Sequence, residues 1–359
     1  MGPPGQGRQD HGRMTAAARR CACRRRALRD SRHMHTDRTR RRALQALGAL
    51  PLLGLAGRAA RAADFPIRPI TLLCPFGAGG SVDQYMRALS PLLAKQLGQQ
   101  VIIENKPGAG GALASAMAAR ARPDGYTLAM TSGSTFRAPW LQPQIGFSPL
   151  EDFSYIVGMT SLEFCAVVRA DSPLRSFADF MAHARANPGT QYAAGDPTTL
   201  GPVTLKASEE KFGVQLEHIP FNSGSEMATA LLGGHVGIVI DSVGTYVPHI
   251  RAGKLRLLAA LGEVRFKAWP GIQTAREQGY DLVLSSPMGL IGPRGIPEPV
   301  VRRLHDALRQ AMRAPQIAAV LDVLNQPEWY RDPAGFEAYA RQVYAESGEL
   351  LRKAGVIQS

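Results

Sequence analysis

The residues best suited to chemistry lie in a glycine-rich loop between a short apolar run and a helical pattern. The apolar run covers residues 70–74, and three glycines follow it: Gly77, Gly79 and Gly80. Apolar residues then recur at helical spacing between 86 and 97, with Ser81 or Asp83 as the predicted N-cap. Because the first four N–H groups of a helix lack partners and the helix dipole is positive there, this loop can receive an anion.

The loop sequence disfavours nucleotide phosphates as that anion. A P-loop requires Gly-Lys-Ser/Thr at the helix start, but no lysine accompanies Gly80 and Ser81. A dinucleotide fingerprint would need a further glycine at the position of Val82. A small carboxylate fits better, and an aspartate in place of Gly79 is predicted to repel it. The alternative is that the glycines only allow a close turn from strand to helix.

Two further loops rich in glycine or hydroxyl groups also follow predicted strands. Residues 105–111 come after a strand at 101–104, and residues 131–135 come after a strand at 126–130. Ligands of open α/β sheets bind outside the carboxyl ends of the strands. These loops are therefore expected to share one binding site with the first.

The second half of the chain continues the alternation of strands and helices. Strands are predicted at 164–168, 192–194, 218–221, 236–240 and 255–261. Ser176 and Asp179 form a predicted capping box, and Ser223 is predicted to cap a later helix. The tail is predicted to hold helices at 299–314, 315–324 and 333–354. The predicted fold class is therefore α/β throughout.

The basic charge is concentrated at the N-terminus. The 359 residues carry 42 Lys and Arg against 29 Asp and Glu, and residues 1–63 hold 15 of the basic and 3 of the acidic residues. The nearly neutral remainder argues against a nucleic-acid partner. Residues 34–62 have the pattern of a cleaved export signal, of the Sec or twin-arginine kind, which predicts a periplasmic location. Residues 1–33 are interpreted as a disordered, over-extended start.

The sequence offers no pattern typical of catalysis or metal binding. Cys21 and Cys23 lie in the leader, and Cys74 and Cys165 lie in apolar runs where buried thiols are favoured over a disulfide. The histidines are scattered without metal-ligand spacing, and no nucleophile elbow is present. We therefore predict neither a metal, nor a cofactor, nor an enzyme.

Three charged residues each have two interpretations. Asp83 is either an N-cap or a ligand contact. Asp241, at the end of a predicted strand, either caps the following turn or faces an amino group of a ligand. Arg137 either pairs with a second carboxylate or is solvated, and the solvated interpretation is favoured.

With these pieces in order, the chain resembles the tripartite tricarboxylate transporter receptors, the periplasmic solute-binding proteins also called the Bug or TctC-like family. The resemblance rests on an ordered set of motifs spread over nearly the whole mature chain. They are residues 69–80, 101–111, 123–128, 219–224, 231–236, 248–256 and 289–297.

The resemblance implies a two-lobed periplasmic-binding-protein fold of the Venus-flytrap kind (type II), with two strands crossing near 159–168 and 285–290. The first lobe would comprise residues 63–165 and 286–359 with the C-terminal helices, and the second lobe residues 166–285. Ligand-binding positions carried over from the family are Phe76, Gly77, Ala78, Gly79, Ser81, Asp83, Ser132, Ser134, Thr199, Phe221 and Asp241.

The function implied is capture of a small carboxylate solute, as a monomer, for a pair of integral-membrane permease proteins. An orphan sensory receptor of the same fold and an exported α/β enzyme acting on a small acid are the alternatives. The chain departs from the family around residues 196–203, where Pro202 replaces a histidine, and at Phe221, which replaces a common tyrosine. These departures predict that the far end of the ligand is recognised differently.

Overall fold

The structure is a computed structural model that describes residues 65–353 and 355–357. The predicted export signal and the two leader cysteines lie outside the described residues. Within the described part of the chain, no helix has both the length and the apolar character needed to cross a membrane.

The described residues form ten strands and ten α-helices. The strands are β1 (Ile70–Cys74), β2 (Val101–Asn105), β3 (Thr127–Met130), β4 (Phe153–Arg169), β5 (Thr190–Ala194), β6 (Leu216–Pro220), β7 (Ile238–Ser242), β8 (Leu255–Ala260), β9 (Ser285–Pro293) and β10 (Glu328–Arg331). The helices are α1 (Ser81–Leu97), α2 (Ala112–Ala119), α3 (Ser134–Leu141), α4 (Phe177–Ala186), α5 (Leu200–Phe212), α6 (Gly224–Leu232), α7 (Val247–Arg251), α8 (Glu298–Met312), α9 (Pro315–Leu324) and α10 (Pro333–Lys353).

The strands form a mixed sheet in the order β2-β1-β3-β9-β4-β7-β5-β6. Strand β1 runs parallel to β2 and β3, and β5 runs parallel to β6 and β7. Strand β4 runs antiparallel to β9 and β7, and it also pairs with β8 and β10. Within each parallel group, the loops that follow the strands therefore lie at one edge of the sheet.

The long strand β4 connects the two groups of strands. Residues 153–163 pair with β9, and residues 164–169 pair with β7 and β8. We call β1, β2, β3, β9 and β10 with their helices the first lobe, and β5 to β8 with theirs the second lobe. Predicting a strand that starts only at 164 was wrong, because Ser154, Gly158 and Ser161 interrupt the apolar pattern while neighbouring strands still pair there.

Two of the three predicted helix N-caps are confirmed, and one is wrong. The capping box of Ser176 and Asp179 is confirmed, and the Ser223 hydroxyl accepts a hydrogen bond from the Glu226 N–H at 3.3 Å as the cap of α6. The expectation that Ser81 or Asp83 caps α1 was wrong, since Gly80 occupies the N-cap without a side-chain bond. A glycine cap leaves the first N–H groups of α1 open to a ligand.

Helix α3 was missed because its sequence predicts a loop. Residues 131–135 are rich in hydroxyls, and Pro139 interrupts the helical pattern that follows them. The helix forms against other elements: Phe136 is fully buried, and the Trp140 indole N–H donates to the Tyr344 carbonyl of α10 at 3.0 Å. Packing against α10 therefore outweighs the weak local preference.

Cys74 and Cys165 are free and fully buried. Burial raises the pKa of the Cys74 thiol to about 11, and it also raises the pKa of the Cys165 thiol well above its ordinary value. The prediction that both behave as small apolar residues is confirmed.

Candidate functional site

A cavity of about 70 Å³ lies between the two lobes, where several helices begin. Among the described residues, the N-caps of five helices line it: Gly80 of α1, Gly111 of α2, Gly133 of α3, Thr199 of α5 and Ser223 of α6. Each helix N-terminus carries partial positive charge and backbone N–H groups without helical partners. We call this space the cleft cavity, and its surroundings are suited to an anion.

The start of α1 supplies backbone N–H groups to the cleft cavity. Among the described residues, the N–H groups of Gly80 and Val82 have no hydrogen-bond acceptor, and the Ser81 N–H reaches only the Thr245 hydroxyl, at 3.4 Å. Gly80 is extended (φ −70°, ψ 168°) and has no side chain to block them. The predicted strand, glycine loop and helix therefore form an open anion-binding end.

The hydroxyl-rich loop at residues 131–135 stabilises the first-lobe wall of the cavity. The Ser132 hydroxyl donates to the Gly110 carbonyl at 3.1 Å, and the Thr135 hydroxyl accepts from the Ser132 N–H at 3.1 Å. The Ser134 hydroxyl instead donates across the cleft to the Thr198 carbonyl, also at 3.1 Å. Ser132 and Ser134 are both buried, so these bonds fix the position of the start of α3.

The second-lobe wall combines a helix start, an aromatic ring and a carboxyl group. The Thr199 hydroxyl donates to the Asp196 carbonyl at 2.7 Å, which holds the loop before α5. The Asp241 carboxyl, near the end of β7, accepts from the Tyr246 hydroxyl at 3.1 Å. The ring of Phe221, which follows β6, adds an apolar surface to this wall.

Direct hydrogen bonds join the lobes around the cavity. The Ser81 and Ser242 hydroxyls lie 3.0 Å apart, and the Ser225 hydroxyl donates to the Ala78 carbonyl at 3.1 Å. The structure therefore has the lobes closed upon each other, with the cavity enclosed between them.

Seven of the predicted ligand-binding residues line the cleft cavity: Phe76, Ser81, Ser132, Ser134, Thr199, Phe221 and Asp241. Four others lie outside its wall: Gly77, Ala78, Gly79 and Asp83. Among the described residues, no three His, Cys, Asp or Glu side chains are close enough together to hold a metal ion.

The three loop residues that lie outside the cavity wall, Gly77, Ala78 and Gly79, each have different surroundings. Gly77 lies against Ser223 of the other lobe, and the Ala78 carbonyl accepts the Ser225 hydroxyl. Gly79 has φ +80°, and a Cβ placed there would meet open space. Gly79 is therefore not part of the cavity wall, and the effect of an aspartate at this position on carboxylate binding stays a prediction.

Asp83 stabilises the glycine-rich loop that precedes α1. Its carboxylate accepts hydrogen bonds from the Gly79 N–H at 2.9 Å, from the Asn105 amide at 2.8 Å and from the Arg87 guanidinium at 2.9 Å. Burial alone would raise the pKa of Asp83, but these bonds outweigh it and lower the pKa below its ordinary value. The structure places Asp83 in this bracing position rather than at the cavity.

The geometry agrees with the match of the chain to a family model. Residues 85–356 match the model of the tripartite tricarboxylate transporter family receptor. The chain belongs to this receptor family. The resemblance seen in the sequence motifs is thereby confirmed, and the family consists of periplasmic solute-binding receptors rather than enzymes.

Three similar proteins each cover about four-fifths of this receptor. A UPF0065 protein from the gbd 5′ region of Cupriavidus necator is 39% identical over 297 residues, which are 82% of this chain and 90% of the relative. The periplasmic binding protein BugD is 27% identical with a TM-score of 0.77, over 82% of this chain and 100% of BugD. MatC from Rhodopseudomonas palustris, solved with bound malate, is 27% identical with a TM-score of 0.75, over 80% of this chain and 100% of MatC.

Sequence reasoning misjudged Arg137 of the receptor. The favoured interpretation, a solvated side chain, was wrong: Arg137 lines the cleft cavity and is only 5% exposed. Burial lowers the pKa of its guanidinium to about 10, so it remains charged at neutral pH. The signal that would have indicated a buried site residue is the position of Arg137 in the chain. Arg137 begins the second turn of a helix whose start lines the cavity.

Asp241 of the receptor is expected to give folding stability an unusual pH dependence. Burial raises its pKa from 3.8 to about 6, against the hydrogen bonds from the Ser242 N–H and the Tyr246 hydroxyl, which lower it. Between these two values the folded receptor keeps a proton that the unfolded chain has lost. The contribution of Asp241 to stability therefore falls as the pH rises through this window and is constant above it.

The substitution Asp241→Asn tests this expectation. The amide keeps an acceptor for Tyr246 but does not titrate, so it removes the contribution of Asp241 to the pH profile. Chemical denaturation of both proteins between pH 4 and pH 7 gives the difference in unfolding free energy, in which the other titrating groups cancel. Parallel profiles would show that Asp241 keeps an ordinary pKa.

Proposed function

We propose that this receptor captures a small carboxylate solute in the cleft cavity, in the periplasm, and delivers it as a monomer to a pair of integral-membrane permease proteins. One observation carries the proposal: the N-caps of five helices from both lobes line a single cavity. The export signal at 34–62 would be cleaved before the receptor acts.

The convergence of helix starts favours an anion over a neutral solute. An anion near one helix N-terminus gains about 0.3–1 kcal/mol when exposed and up to about 2 kcal/mol when partly buried. Three of the caps are glycines, Gly80, Gly111 and Gly133, so a carboxylate can approach the backbone closely. A carboxylate oxygen accepts several N–H bonds at once, which this wall can supply.

The cavity favours a small solute. One water requires roughly 10–15 Å³ of such space, so about 70 Å³ accommodates a compact organic acid rather than a peptide or a nucleotide. Malate, bound by the related MatC, is an acid of this kind. The chain departs from the family pattern at Pro202 and Phe221. Both residues lie on the second-lobe wall, where the far end of the solute would be recognised.

Capture is proposed to proceed by closure of the lobes. The solute carboxylate first docks on the α1 loop of the open receptor, and the second lobe then closes over it. The bonds between Ser81 and Ser242 and between Ser225 and Ala78 join the two lobes, so separation of the lobes would break them. A solute that contacts both walls stabilises this arrangement over the open one.

A thermal unfolding screen tests the proposal. The purified receptor is heated with mono-, di- and tricarboxylates, amino acids and aromatic acids, and with the uncharged amides of the same acids as matched controls. A solute at a hundred times its dissociation constant adds about 2.7 kcal/mol, which corresponds to a midpoint shift of roughly 5 °C. We expect a shift with at least one acid and none with its amide.

A copurified solute could hide this shift, so the screen is repeated after unfolding, dialysis and refolding. Equal shifts with acids and amides, or no shift from any acid after refolding, would contradict the carboxylate proposal. Conversion of a bound acid into a product would contradict the receptor role.

A further inference from the structure

The buried cation Arg137 has capacity for hydrogen bonding that the protein does not use. Its Nε donates to the Thr198 carbonyl at 3.1 Å, across the cleft from α3 to the loop before α5. Its two terminal nitrogens have no hydrogen-bond partner among the described residues, although the side chain is 5% exposed and lines the cleft cavity. The guanidinium therefore presents its outer edge to a space that a solute can occupy.

The described residues give Arg137 no opposite charge. The two carboxyl groups that line the cavity are engaged elsewhere: Asp196 accepts from the Thr198 N–H at 2.9 Å and hydroxyl at 2.7 Å, and Asp241 accepts from Tyr246. The ionisable group that acts electrostatically on the pKa of the Arg137 guanidinium is the Tyr339 phenol, which would raise this pKa if it were ionised. Burial raises the pKa of Tyr339 above its ordinary value, so this phenol is neutral at physiological pH.

A buried cation without a partner is costly. Transfer of a lone charge out of water is unfavourable by several kcal/mol unless hydrogen bonds and an opposite charge replace the lost hydration. Arg137 stays protonated at neutral pH, and a single bond from Nε leaves most of its charge uncompensated. Closure of the cleft around Arg137 is therefore favourable when an anion from outside the protein meets its free edge.

We propose that Arg137 is a specificity-determining residue that binds a second acidic group of the solute, so that the receptor selects dianionic over monoanionic solutes. The inference rests on the proposed function, in which the first carboxylate occupies the start of α1. The free terminal nitrogens can then hold the second carboxylate with two parallel hydrogen bonds. The same side chain bonds the opposite lobe through Nε, so the second acidic group also supports closure.

Matched acids of equal carbon number test the proposal by titration calorimetry. The pairs are malonate and propionate, succinate and butyrate, glutarate and pentanoate, and adipate and hexanoate. We expect at least one dicarboxylate to bind and its monocarboxylate partner to bind at least about 30-fold more weakly, as for loss of one partner of a buried charge pair. In Arg137→Met, the affinity for that dicarboxylate falls to the level of the monocarboxylate.

Two further variants keep the result interpretable. Arg137→Lys keeps the charge without the planar fork and is expected to bind the dicarboxylate with intermediate affinity. Arg122→Met removes an arginine whose side chain is 84% exposed and is expected to leave every affinity unchanged. Without solute, Arg137→Met is expected to unfold at the wild-type temperature or above it, because it removes an unpaired buried charge.

The outcomes separate this inference from the proposed function. If a monocarboxylate binds as tightly as its dicarboxylate partner, or if Arg137→Met keeps the dicarboxylate affinity, the role of Arg137 is refuted while the receptor still binds acids. If none of the eight acids binds the refolded wild-type receptor, the assignment of a dianionic solute of this size is overturned, and binding of another acid in the thermal screen would leave the proposed function standing.

Discussion

Replacing Gly80 with aspartate is expected to abolish binding of carboxylate solutes while the receptor folds at least as stably as before. Gly80 is the N-cap of α1 and lines the cleft cavity. Its backbone (φ −70°, ψ 168°) suits any residue, and a Cβ there would meet only the Gly77 carbonyl at 3.6 Å. The fold therefore accepts a side chain at this position without strain.

The aspartate would act on α1 and on the solute in opposite directions. As an N-cap it accepts a hydrogen bond from an early N–H group of α1, which stabilises the helix by a few tenths of a kcal/mol over glycine. It also places a negative charge beside the N–H groups that are proposed to receive the solute carboxylate. Like charges in contact cost several kcal/mol, so affinity should fall at least about 100-fold.

Gly80→Asn is the matched control, because asparagine has the same size and caps a helix equally well but carries no charge. Calorimetric titration with the best acid from the screen gives both affinities, and thermal unfolding without solute gives both stabilities. The difference in affinity between the two variants isolates the effect of charge. Equal affinities in these variants would show that the carboxylate does not bind at the start of α1.

Replacing Gly77 with alanine is expected to weaken solute binding roughly 5- to 150-fold without lowering the stability of the receptor in the absence of solute. Gly77 has no positive φ, so alanine fits its backbone. In the closed arrangement, however, the new Cβ would lie 2.8 Å from the Ser223 Cβ of the second lobe. Overpacking of this kind costs about 1–3 kcal/mol, and here it falls on the closed form alone.

A compensating substitution supplies the control for this prediction. Ser223→Gly removes both atoms that the new Cβ would meet, and glycine is acceptable as the N-cap of α6 at a cost of a few tenths of a kcal/mol. We expect the double variant to recover most of the lost affinity in a double-mutant cycle measured by calorimetry. If Gly77→Ala binds as the wild type does, solute capture does not require this closed arrangement.

Local signals in the sequence predicted the parts of the site that depend on neighbouring residues. The glycines at 77, 79 and 80 predicted a tight turn between strand and helix, and Ser176 and Ser223 predicted helix starts that the structure confirms. These features follow from backbone freedom and from hydrogen bonds within a few residues, so a short stretch of sequence contains the needed information.

Residues distant in sequence decided the remaining features. The start of β4 at Phe153 depends on pairing with β9 and β10, more than a hundred residues away, which outweighs the polar residues in its first half. Helix α3 likewise depends on packing against α10. Neither partner is visible in the local sequence, so the local pattern predicted a later strand and a longer loop.

The sequence by itself determined that three glycine or hydroxyl loops follow strands, that these loops share one site, and that the start of the first helix can bind an anion. Only the tertiary structure decided which atoms face the cavity. Gly79 lies outside the cavity wall, and the Asp83 carboxylate turns back to accept a hydrogen bond from the Gly79 N–H. Arg137 is buried, and its Nε donates to the Thr198 carbonyl of the opposite lobe, a contact between residues that are far apart in the chain.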